Sequence, residues 1–436
     1  MKRKIYNELI KWKKEDINTP LMVVGARQIG KTYTIDEFCK NEFTNYIYIN
    51  LLNNKEIIEI FKENINTEEK IKKMELSLGH TIDYENTIIF FDEIQESEEL
   101  ISALKFFCES KVSYKIICAG SLLGVKINRF HSSFPVGKVR IINMYPMNFE
   151  EFLWAMDYEI AIPEIKRCYQ ENVKMSDSIH EKLLNYYRMF LCVGGMPRMV
   201  LSLKETQKIL EVDKSIASNI YKEYLMDMNK YVTNVTEGIK NETIYNSIPS
   251  QLANLSNKFQ YGKINNNARK RDYETSLDWL ISSKMVLRSN LVKKVEIPLK
   301  AYINDDYFKL YLSDIGLLVS ILEIRYNDIM LNKEFMYKGV LAENYVATEL
   351  IHNYETLYYW QSGNRAEIDF LINAKDGIIP IEVKANTNNN SKSLNLYMEK
   401  YKPSFAIRIS SKNFGFENNI KSVPLYATFC ISEFEC

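Results

Sequence analysis

The stretch Gly25-Ala-Arg-Gln-Ile-Gly30-Lys31-Thr32 decides how the rest of the chain is interpreted. It matches the pattern G-x-x-x-x-G-K-[ST], and it lies between the apolar run Leu21–Val24 and a segment compatible with a helix. Glycines let the backbone bend so that its N–H groups and the start of the helix face phosphate groups. In this setting the motif predicts a P-loop, the phosphate-binding loop of nucleotide-binding proteins.

The residue types in this loop predict ATP as the ligand and Mg²⁺ as the cofactor. Lys31 is expected to reach the β- and γ-phosphates, and Thr32 is expected to offer its hydroxyl to Mg²⁺. The other predicted nucleotide-binding positions are Gly25, Ala26, Arg27, Gln28, Ile29, Gly30 and Tyr33.

A second apolar run, Thr87–Phe91, ends in the adjacent acids Asp92 and Glu93. A P-loop needs a metal-side carboxylate on a neighbouring strand, and this is the Walker B pattern. Asp92 is predicted to hold Mg²⁺ through water, and Glu93 to orient or deprotonate the attacking water. The pair of acids favours hydrolysis over binding alone.

The next apolar run, Lys115–Ala119, leads into Gly120 and Ser121. P-loop ATPases of the AAA type carry a polar residue here that senses the γ-phosphate, so Ser121 is the third catalytic candidate beside Lys31 and Glu93. A plain loop serine is the alternative. The order Gly-Ser-x-x-Gly differs from the G-x-S-x-G of a serine hydrolase, which is therefore disfavoured.

The amino-acid composition limits which other classes of protein and binding partner the sequence allows. The 436 residues suffice for about two to four domains, and 56 basic residues balance 56 acidic ones, so any nucleic acid must be bound by a local patch. Seven cysteines without C-x-x-C, and only four histidines, argue against a structural zinc site or a disulfide scaffold. No signal peptide or apolar run of membrane-spanning length occurs, so a cytoplasmic protein without a membrane partner is expected.

The hydrophobic pattern divides the chain into regions. Alternating apolar and helical stretches over 21–144 predict a parallel sheet buried on both faces, and 148–255 is helical. Helices followed by a hairpin over 244–322, with strands at 285–291 and, shorter, at 300–303, suggest a winged helix-turn-helix. The strands predicted in the first region are Leu21–Val24, Tyr46–Asn50, Thr87–Phe91, Lys115–Ala119 and Val139–Asn143.

Together with these motifs, several stretches resemble a prokaryotic family of AAA-type P-loop ATPases with a C-terminal domain of unknown function. They are Tyr145-Pro-Met-Asn-Phe-Glu-Glu-Phe152, Val193-Gly-Gly-Met-Pro197, Ile248-Pro-Ser-Gln-Leu252, Phe308–Leu318 and Gly339–Val346. The resemblance covers nearly the whole chain. It implies an ATPase core with a helical lid, a winged-helix module and a domain similar to PD-(D/E)xK nucleases, with tight turns at Gly194-Gly195 and at Asp314 and Gly316.

The expected fold is therefore multidomain α/β: a P-loop AAA-type parallel sheet with a helical lid, a winged helix and a C-terminal PD-(D/E)xK-like α/β domain. The predicted boundaries are 1–150 for the ATPase core, 151–243 for the lid, 244–330 for the winged-helix region and 334–436 for the nuclease-like domain.

The C-terminal region carries carboxylates in a suggestive pattern. Side-chain alternation places Glu382 and Lys384 on one face of a strand, Asp369 lies 13 residues earlier than Glu382, and Glu343 interrupts an apolar helix stripe and so needs a partner. The resemblance implies a second metal site here: Asp369 and Glu382 bind Mg²⁺, Lys384 positions a water and Glu343 assists. Solvated charges on an alternating strand are the alternative, and so is a domain kept for binding or assembly.

Arg269, Lys270 and Arg271 stand at the start of the predicted recognition helix, where contacts with DNA phosphates are expected. The alternatives are a solvated face and a winged helix that contacts protein.

The family that this chain resembles often has a Gly-Arg pair between the sensor strand and the Tyr-Pro motif, which is a candidate finger for a neighbouring subunit's nucleotide. This chain has Gly137-Lys138 instead. Arg140 or Arg129 could substitute, so a homo-oligomer with such a finger stays open. Two hypotheses follow: an Mg²⁺-dependent ATPase on DNA whose cycle is coupled to a nuclease-like domain, or an ATP-switched DNA- or protein-binding regulator with a non-catalytic C-terminal domain.

Overall fold

The computed structural model describes residues 1–15, 18–121, 134–230, 232, 235–254, 258–266, 268–333, 337–363, 366–375, 377–385 and 392–435. The chain divides into two compact units. Unit 1 comprises Met1–Tyr145 and Ser282–Lys284, and unit 2 comprises Pro146–Ile281 and Met285–Cys436.

Unit 1 alternates helices and strands as the apolar runs predict. Its elements are α1 (Ile5–Lys14), β1 (Leu21–Val24), α2 (Lys31–Glu42), β2 (Asn45–Asn50), α3 (Lys55–Lys62), α4 (Thr67–Leu78), β3 (Thr87–Asp92), α5 (Glu98–Glu109), β4 (Lys115–Gly120) and β5 (Arg140–Asn143). The described strands form one parallel sheet in the order β2-β3-β4-β1-β5. The predicted parallel sheet is thus confirmed, with each predicted strand present to within a residue at either end.

The strand order corrects one expectation about the site. The acidic strand β3 does not neighbour the P-loop strand β1, because β4 lies between them and pairs with both. Since all these strands are parallel, their carboxyl ends meet at one edge of the sheet. The P-loop and the acids of β3 therefore still approach each other at that edge.

The core of unit 1 explains why its central strands are continuous apolar runs. Every residue of β1 and β3 is buried. Helix α5 packs Leu104 and Phe107 into the cluster that contains Ile89 and Phe91 of β3. Strands covered on both faces need apolar side chains at successive positions instead of an alternation.

Unit 2 begins with helices, as predicted for 148–255. They are α6 (Phe149–Ala155), α7 (Ile162–Glu171), α8 (Asp177–Val193), α9 (Pro197–Thr206), α10 (Ser215–Lys230) and α11 (Val235–Leu252). Helix α6 starts with a capping box, in which Asn148 and Glu151 exchange side-chain and backbone hydrogen bonds.

The rest of unit 2 mixes helices and strands. The elements are α12 (Lys270–Ser282), β6 (Val286–Val292), β7 (Ile303–Leu312), α13 (Ile315–Ile321), α14 (Tyr326–Met330), α15 (Lys338–Leu350), β8 (Leu357–Ser362), β9 (Ala366–Ala374), β10 (Gly377–Val383), α16 (Lys392–Tyr401), β11 (Ala406–Ser410), β12 (Gly415–Glu417), β13 (Ile420–Pro424) and α17 (Thr428–Phe434).

The described strands of unit 2 form one mixed sheet in the order β12-β13-β11-β10-β9-β8-β6-β7. The hairpin β6-β7, predicted as the wing, continues this sheet because β6 pairs in parallel with β8. Strands that come before and after the predicted boundary at 330–334 in the sequence are thus hydrogen-bonded into the same sheet. The four-part division of the chain stays a prediction.

The second hairpin strand differs from its prediction as a short strand near Lys300–Ile303. Strand β7 runs over Ile303–Leu312, and a 3₁₀ turn occupies Leu299–Tyr302. The polar run Asn304–Asp306 disfavours a strand in local sequence. Pairing with β6, across an irregularity at Asn290, extends β7 through this run.

Two of the family motifs meet in unit 2. Gly194 and Gly195 follow α8, and the Gly195 N–H donates to Asp314 Oδ2 at 2.7 Å. Asp314 Oδ1 accepts from the Leu317 N–H at 2.9 Å and so caps α13. A Cβ on Gly195 would stand 2.1 Å from the Met147 carbonyl oxygen, so only glycine fits this turn.

Replacing Asp314 with asparagine is expected to lower the free energy of unfolding of unit 2 by about 2 kcal/mol. The amide has one acceptor oxygen where the carboxylate offers two, and its NH₂ would face a backbone donor. Burial raises the pKa of Asp314 to about 6, although the backbone N–H donors act in the opposite direction. Urea denaturation is therefore best followed at about pH 8, where the carboxylate is ionised. Asp328→Asn, which removes an exposed pair with Lys333, is the control and should cost below about 1 kcal/mol. Equal effects of the two variants would contradict the capping role.

Candidate functional site

The loop between β1 and α2 has the backbone that phosphate binding requires. Gly30, with φ of 91°, and Gln28, with φ of 64°, both lie in the left-handed region, and helix α2 begins directly at Lys31. The first N–H groups of a helix have no intrahelical acceptor, and the helix dipole adds positive potential there. The loop therefore presents a ready anion site at the carboxyl edge of the sheet.

Gly25 is required for a reason that the motif alone does not reveal. A Cβ at this position would stand 2.2 Å from the Met144 carbonyl oxygen, just beyond β5. The loop backbone therefore lies directly against the end of the neighbouring strand, and a side chain would push the two apart.

Lys31 lies on the inner side of the loop and is almost completely buried. Its ammonium donates to the carbonyl oxygens of Gly25 at 3.0 Å and Ala26 at 2.7 Å. A phosphate oxygen is a stronger acceptor than these carbonyls because it is charged. The ammonium can thus exchange carbonyl partners for phosphate oxygens with a small movement of its terminal atoms.

Thr32, in the first turn of α2, meets Asp92, the last residue of β3, although β4 lies between β3 and the P-loop strand β1. The Thr32 hydroxyl donates to Asp92 Oδ2 at 3.0 Å, and the Tyr48 hydroxyl of β2 donates to the same oxygen at 2.9 Å. Burial raises the pKa of Asp92, and the hydrogen bonds from Tyr48 and Thr32 act in the opposite direction. A threonine hydroxyl beside a carboxylate is a donor set that suits Mg²⁺ together with phosphate oxygens, so these residues fit the predicted cation.

Glu93 is held in an unusual backbone conformation beside this pair. Its φ is 55°, and its Oε2 accepts from the Gln95 side-chain amide. Strained backbone of this kind is found at functional positions. Gln95 restricts the carboxylate of Glu93 to one orientation at the end of β3.

Ser121 follows β4 at the same edge, between the P-loop strand and the acidic strand. Its side chain is buried, and its Oγ has no hydrogen-bond partner among the residues that the structure describes. A buried hydroxyl without a partner is costly, which is consistent with a ligand atom as its acceptor.

Arg3 is a contributor to the site that sequence analysis missed. It is buried, and its guanidinium donates to the carbonyl oxygens of Ile29 in the P-loop and of Tyr145 after β5, each at 2.6 Å. Arg3 therefore ties the loop to the segment that follows the neighbouring strand β5. No local signal identifies this role, because Arg3 belongs to an ordinary basic run at the start of the sequence.

The four predicted residues of the second metal site lie in unit 2, on α15, β9 and the end of β10. The Lys384 ammonium pairs with Glu382 Oε1 at 3.0 Å, and Asp369 Oδ2 accepts from the Val383 N–H at 2.8 Å. Glu343 is occupied by another partner, since its Oε1 accepts from the Lys309 ammonium at 2.8 Å. In the part of the chain that the structure describes, no three His, Cys, Asp or Glu side chains form a group that could hold a metal ion. The donor set therefore does not fit the metal that the resemblance implies.

Lys309 was also missed by sequence analysis, although its stretch was quoted as a family motif. Its ammonium contacts Glu367 Oε1 at 2.6 Å as well as Glu343, and the Tyr311 hydroxyl donates to Glu343 Oε1 at 2.7 Å. Burial lowers the pKa of Lys309, but the negative charges of Glu343, Glu367 and Asp369 outweigh this and raise it. Burial, followed by the charge of Glu343, raises the pKa of Asp369.

The predicted DNA-contacting residues lie where expected, at the start of α12, but acids accompany them. Lys270 stands 3.5 Å from Asp306 of β7, and Arg271 stands 3.7 Å from Asp272. Arg271 is well exposed. These acids reduce the local positive field, and the role of the cluster stays a prediction.

The candidate arginine finger Arg140 is engaged within unit 1. It forms ion pairs with Glu15 at 2.6 Å and Glu8 at 3.6 Å. Arg129 lies outside the described residues. Assembly into an oligomer stays a prediction. Within the described residues, no helix has the length and apolar character needed to cross a membrane.

A parallel sheet with a P-loop after β1 and a pair of acids at the end of β3 defines unit 1 as a P-loop ATPase fold. A family model described as AAA domain matches residues 18–153, which confirms the predicted AAA-type ATP-binding domain. Residues 184–328 and 338–428 match models described as Domain of unknown function (DUF8612) and Domain of unknown function (DUF4143). No curated protein matches the chain in sequence.

Several solved structures are similar to most of the chain at low sequence identity. The Walker-type ATPase PABY2304 of Pyrococcus abyssi is 13% identical, with 74% of this chain and 95% of that chain covered and a TM-score of 0.45. The Aeropyrum pernix ORC2 protein in ADPNP–ADP complexes is 13% identical, with 76% and 92% covered and a TM-score of 0.38. The Aeropyrum pernix ORC1 protein in complex with DNA is 10% identical, with 74% and 92% covered and a TM-score of 0.27.

Proposed function

We propose that the chain is an Mg²⁺-dependent ATPase of the AAA type whose hydrolysis cycle controls contacts of unit 2 with DNA. The observation that carries the ATPase part is the meeting of Thr32 and Asp92, 3.0 Å apart, next to the buried Lys31 ammonium. Both side chains are of the types that a nucleoside triphosphate site needs on its cation side, and both come from the P-loop and Walker B patterns of the sequence.

Each side chain has a defined task in this proposal. Lys31 and the N–H groups at the start of α2 bind the β- and γ-phosphates, and Ser121 donates a hydrogen bond to the γ-phosphate. Glu93, oriented by Gln95, accepts hydrogen bonds from the attacking water and takes its proton. Bound Mg²⁺ supplies charge neutralisation on the phosphate oxygens, with Thr32 and Asp92 as its protein partners.

The test is phosphate release from ATP by the purified chain. Release should require Mg²⁺, stop on addition of EDTA and depend on Lys31 and Glu93. Release that persists unchanged in EDTA would contradict the assignment of Thr32 and Asp92 as the cation side of the site.

The DNA part of the proposal is supported by the exposed basic start of α12 on a helix that precedes the β6-β7 hairpin. We expect the triple variant Arg269→Gln, Lys270→Gln, Arg271→Gln to bind duplex DNA more weakly. It should also lower the slope of log affinity against log salt by about 2 to 3, because each phosphate contact contributes about 0.9. Fluorescence anisotropy of labelled DNA at several salt concentrations measures this.

Arg167→Gln is the matched control, since Arg167 is an exposed arginine on α7 that pairs with Glu164 and Glu171. Its salt slope should equal that of the wild type. An unchanged salt slope in the triple variant would mean that other residues contact the DNA or that this cluster contacts a protein partner.

For the C-terminal region, one observation favours the second hypothesis, an ATP-switched regulator with a non-catalytic domain. Of the predicted metal-site carboxylates, Glu343 is paired with the Lys309 ammonium and Glu382 with the Lys384 ammonium. A nuclease of the PD-(D/E)xK type needs such carboxylates for a metal. We therefore favour binding or assembly as the role of this region.

A further inference from the structure

Lys309 combines complete burial with a full set of charged partners. It lies on β7, and none of its surface is exposed to solvent. Its ammonium stands 2.8 Å from Glu343 Oε1 and 2.6 Å from Glu367 Oε1, and 5.1 Å from the ring centre of Tyr359. A buried ammonium is costly unless acceptors replace its water shell, and here carboxylates and a ring face do so.

The carboxylates in turn need a positive charge. Glu343 is buried, and Asp369 lies near enough for its charge to act on both Glu343 and Lys309. Like charges gathered in a low-dielectric interior repel strongly unless a cation stands between them. Carboxylate sites in proteins commonly meet this need with a divalent cation. In this chain an amino acid side chain meets it.

The partners come from elements that are far apart in sequence. Lys309 lies on the hairpin, Glu343 on α15, and Glu367 and Asp369 on β9. The lysine of the Glu-x-Lys pattern, Lys384, is a different residue with a different partner, since it is about one-third exposed and pairs with Glu382. The cluster therefore contains a cation in addition to the one that the nuclease pattern predicts.

We propose that the Lys309 ammonium is a built-in replacement for a divalent cation among Glu343, Glu367 and Asp369, so that this site excludes metal in the intact chain. As they stand among the described residues, these carboxylates do not form a metal-holding group. Removing the ammonium while keeping the apolar stem frees Glu343 and Glu367 from their ion pairs, so that the carboxylates close on one divalent ion instead. Glu367 is about one-quarter exposed, so it provides an entry route for the ion. The proposal concerns unit 2 alone and holds whether or not unit 1 hydrolyses ATP.

The experiment counts Mn²⁺ bound per chain, by electron paramagnetic resonance of free Mn²⁺, with no nucleotide added. Lys309→Met should bind one Mn²⁺ more than the wild type, and Mn²⁺ should raise its melting temperature more than that of the wild type. Lys309→Arg, which keeps a cation, should bind no additional ion. Adding Asp369→Asn to Lys309→Met should remove the extra ion.

Lys421→Met is the matched control, because Lys421 is also a buried lysine of this sheet that pairs with a single carboxylate, Glu435, at 3.5 Å. It should bind the same number of ions as the wild type. A folded Lys309→Met chain without an additional Mn²⁺ would overturn the proposal.

A second measurement decides the matter if Lys309→Met does not fold. Asp369→Asn in an otherwise wild-type chain should leave the Mn²⁺ count unchanged, because the proposal excludes metal there. Loss of one ion in that variant would show that metal displaces the Lys309 ammonium, and the proposal would be wrong.

Discussion

A Glu93→Gln chain is expected to bind ATP with nearly wild-type affinity and to hydrolyse it about 10²- to 10⁴-fold more slowly. Glutamine preserves the size of the side chain and its contact with Gln95, but its amide cannot take a proton from water. Binding is measured with a fluorescent ATP analogue and turnover by phosphate release. The expected signature is an unchanged dissociation constant with a strongly reduced kcat.

Glu99→Gln is the control for this prediction. Glu99 is an exposed carboxylate on α5, only a few positions further along the chain, and it should leave both quantities unchanged. If Glu93→Gln retains full turnover, another group activates the water and the role assigned to Glu93 is wrong.

Lys31→Ala is expected to lose binding as well as turnover, with kcat/KM lowered by about 10²- to 10³-fold or more. The ammonium interacts with the β- and γ-phosphates in the bound state and in the transition state, so its removal affects both. The variant also leaves the Gly25 and Ala26 carbonyl oxygens without this donor, so its melting temperature should be measured alongside. Isothermal titration with ATP and Mg²⁺ separates weakened binding from slow chemistry.

Two further variants sharpen the Lys31 prediction. Lys31→Arg keeps the charge, but a planar guanidinium cannot match the compact ammonium in the loop, so most activity should be lost. Lys40→Ala removes an exposed lysine of the same helix α2 that pairs with Asp36, and it should behave as the wild type does. Normal hydrolysis by Lys31→Ala would refute the P-loop assignment itself.

The ATPase fold could be predicted because its signals are local. The glycines, lysine and threonine of the P-loop lie within eight residues, and buried parallel strands appear as uninterrupted apolar runs. These features depend on backbone conformation and burial of adjacent residues. In the structure the strands begin and end within a residue of their predicted bounds, and the match of residues 18–153 to an AAA domain agrees with the predicted class.

The positioning residues of the site could not be predicted, because their partners are distant in sequence. Arg3 contacts the carbonyl of Tyr145, 142 residues away, and Tyr48 contacts Asp92, 44 residues away. Neither arginine near a terminus nor tyrosine on an edge strand has a pattern that distinguishes it from a surface residue. Only the order of the strands brings these pairs together.

For the C-terminal carboxylates, too, the sequence predicted one feature and only the fold decided another. Sequence analysis correctly required a partner for Glu343, because a charge on an apolar helix stripe cannot stay unpaired. It did not identify Lys309, since a lone lysine in a strand is normally solvent-exposed. The pairing of β6 with β8 places the hairpin beside the C-terminal strands and so brings Lys309 to the carboxylates.

By itself, the sequence determined that unit 1 is a P-loop domain of the AAA type that binds nucleotide, and it supplied the residues proposed for the phosphate and metal sides of the site. Short-range spacing suffices for this, because one loop and two strand ends carry the chemistry. The tertiary structure decided that β4 separates β1 from β3, that Asp314 joins the Gly194-Gly195 turn, and that Lys309 neutralises the carboxylate cluster. These outcomes depend on the order in which strands and helices pack, and chain order alone does not specify which distant side chains then share a low-dielectric interior.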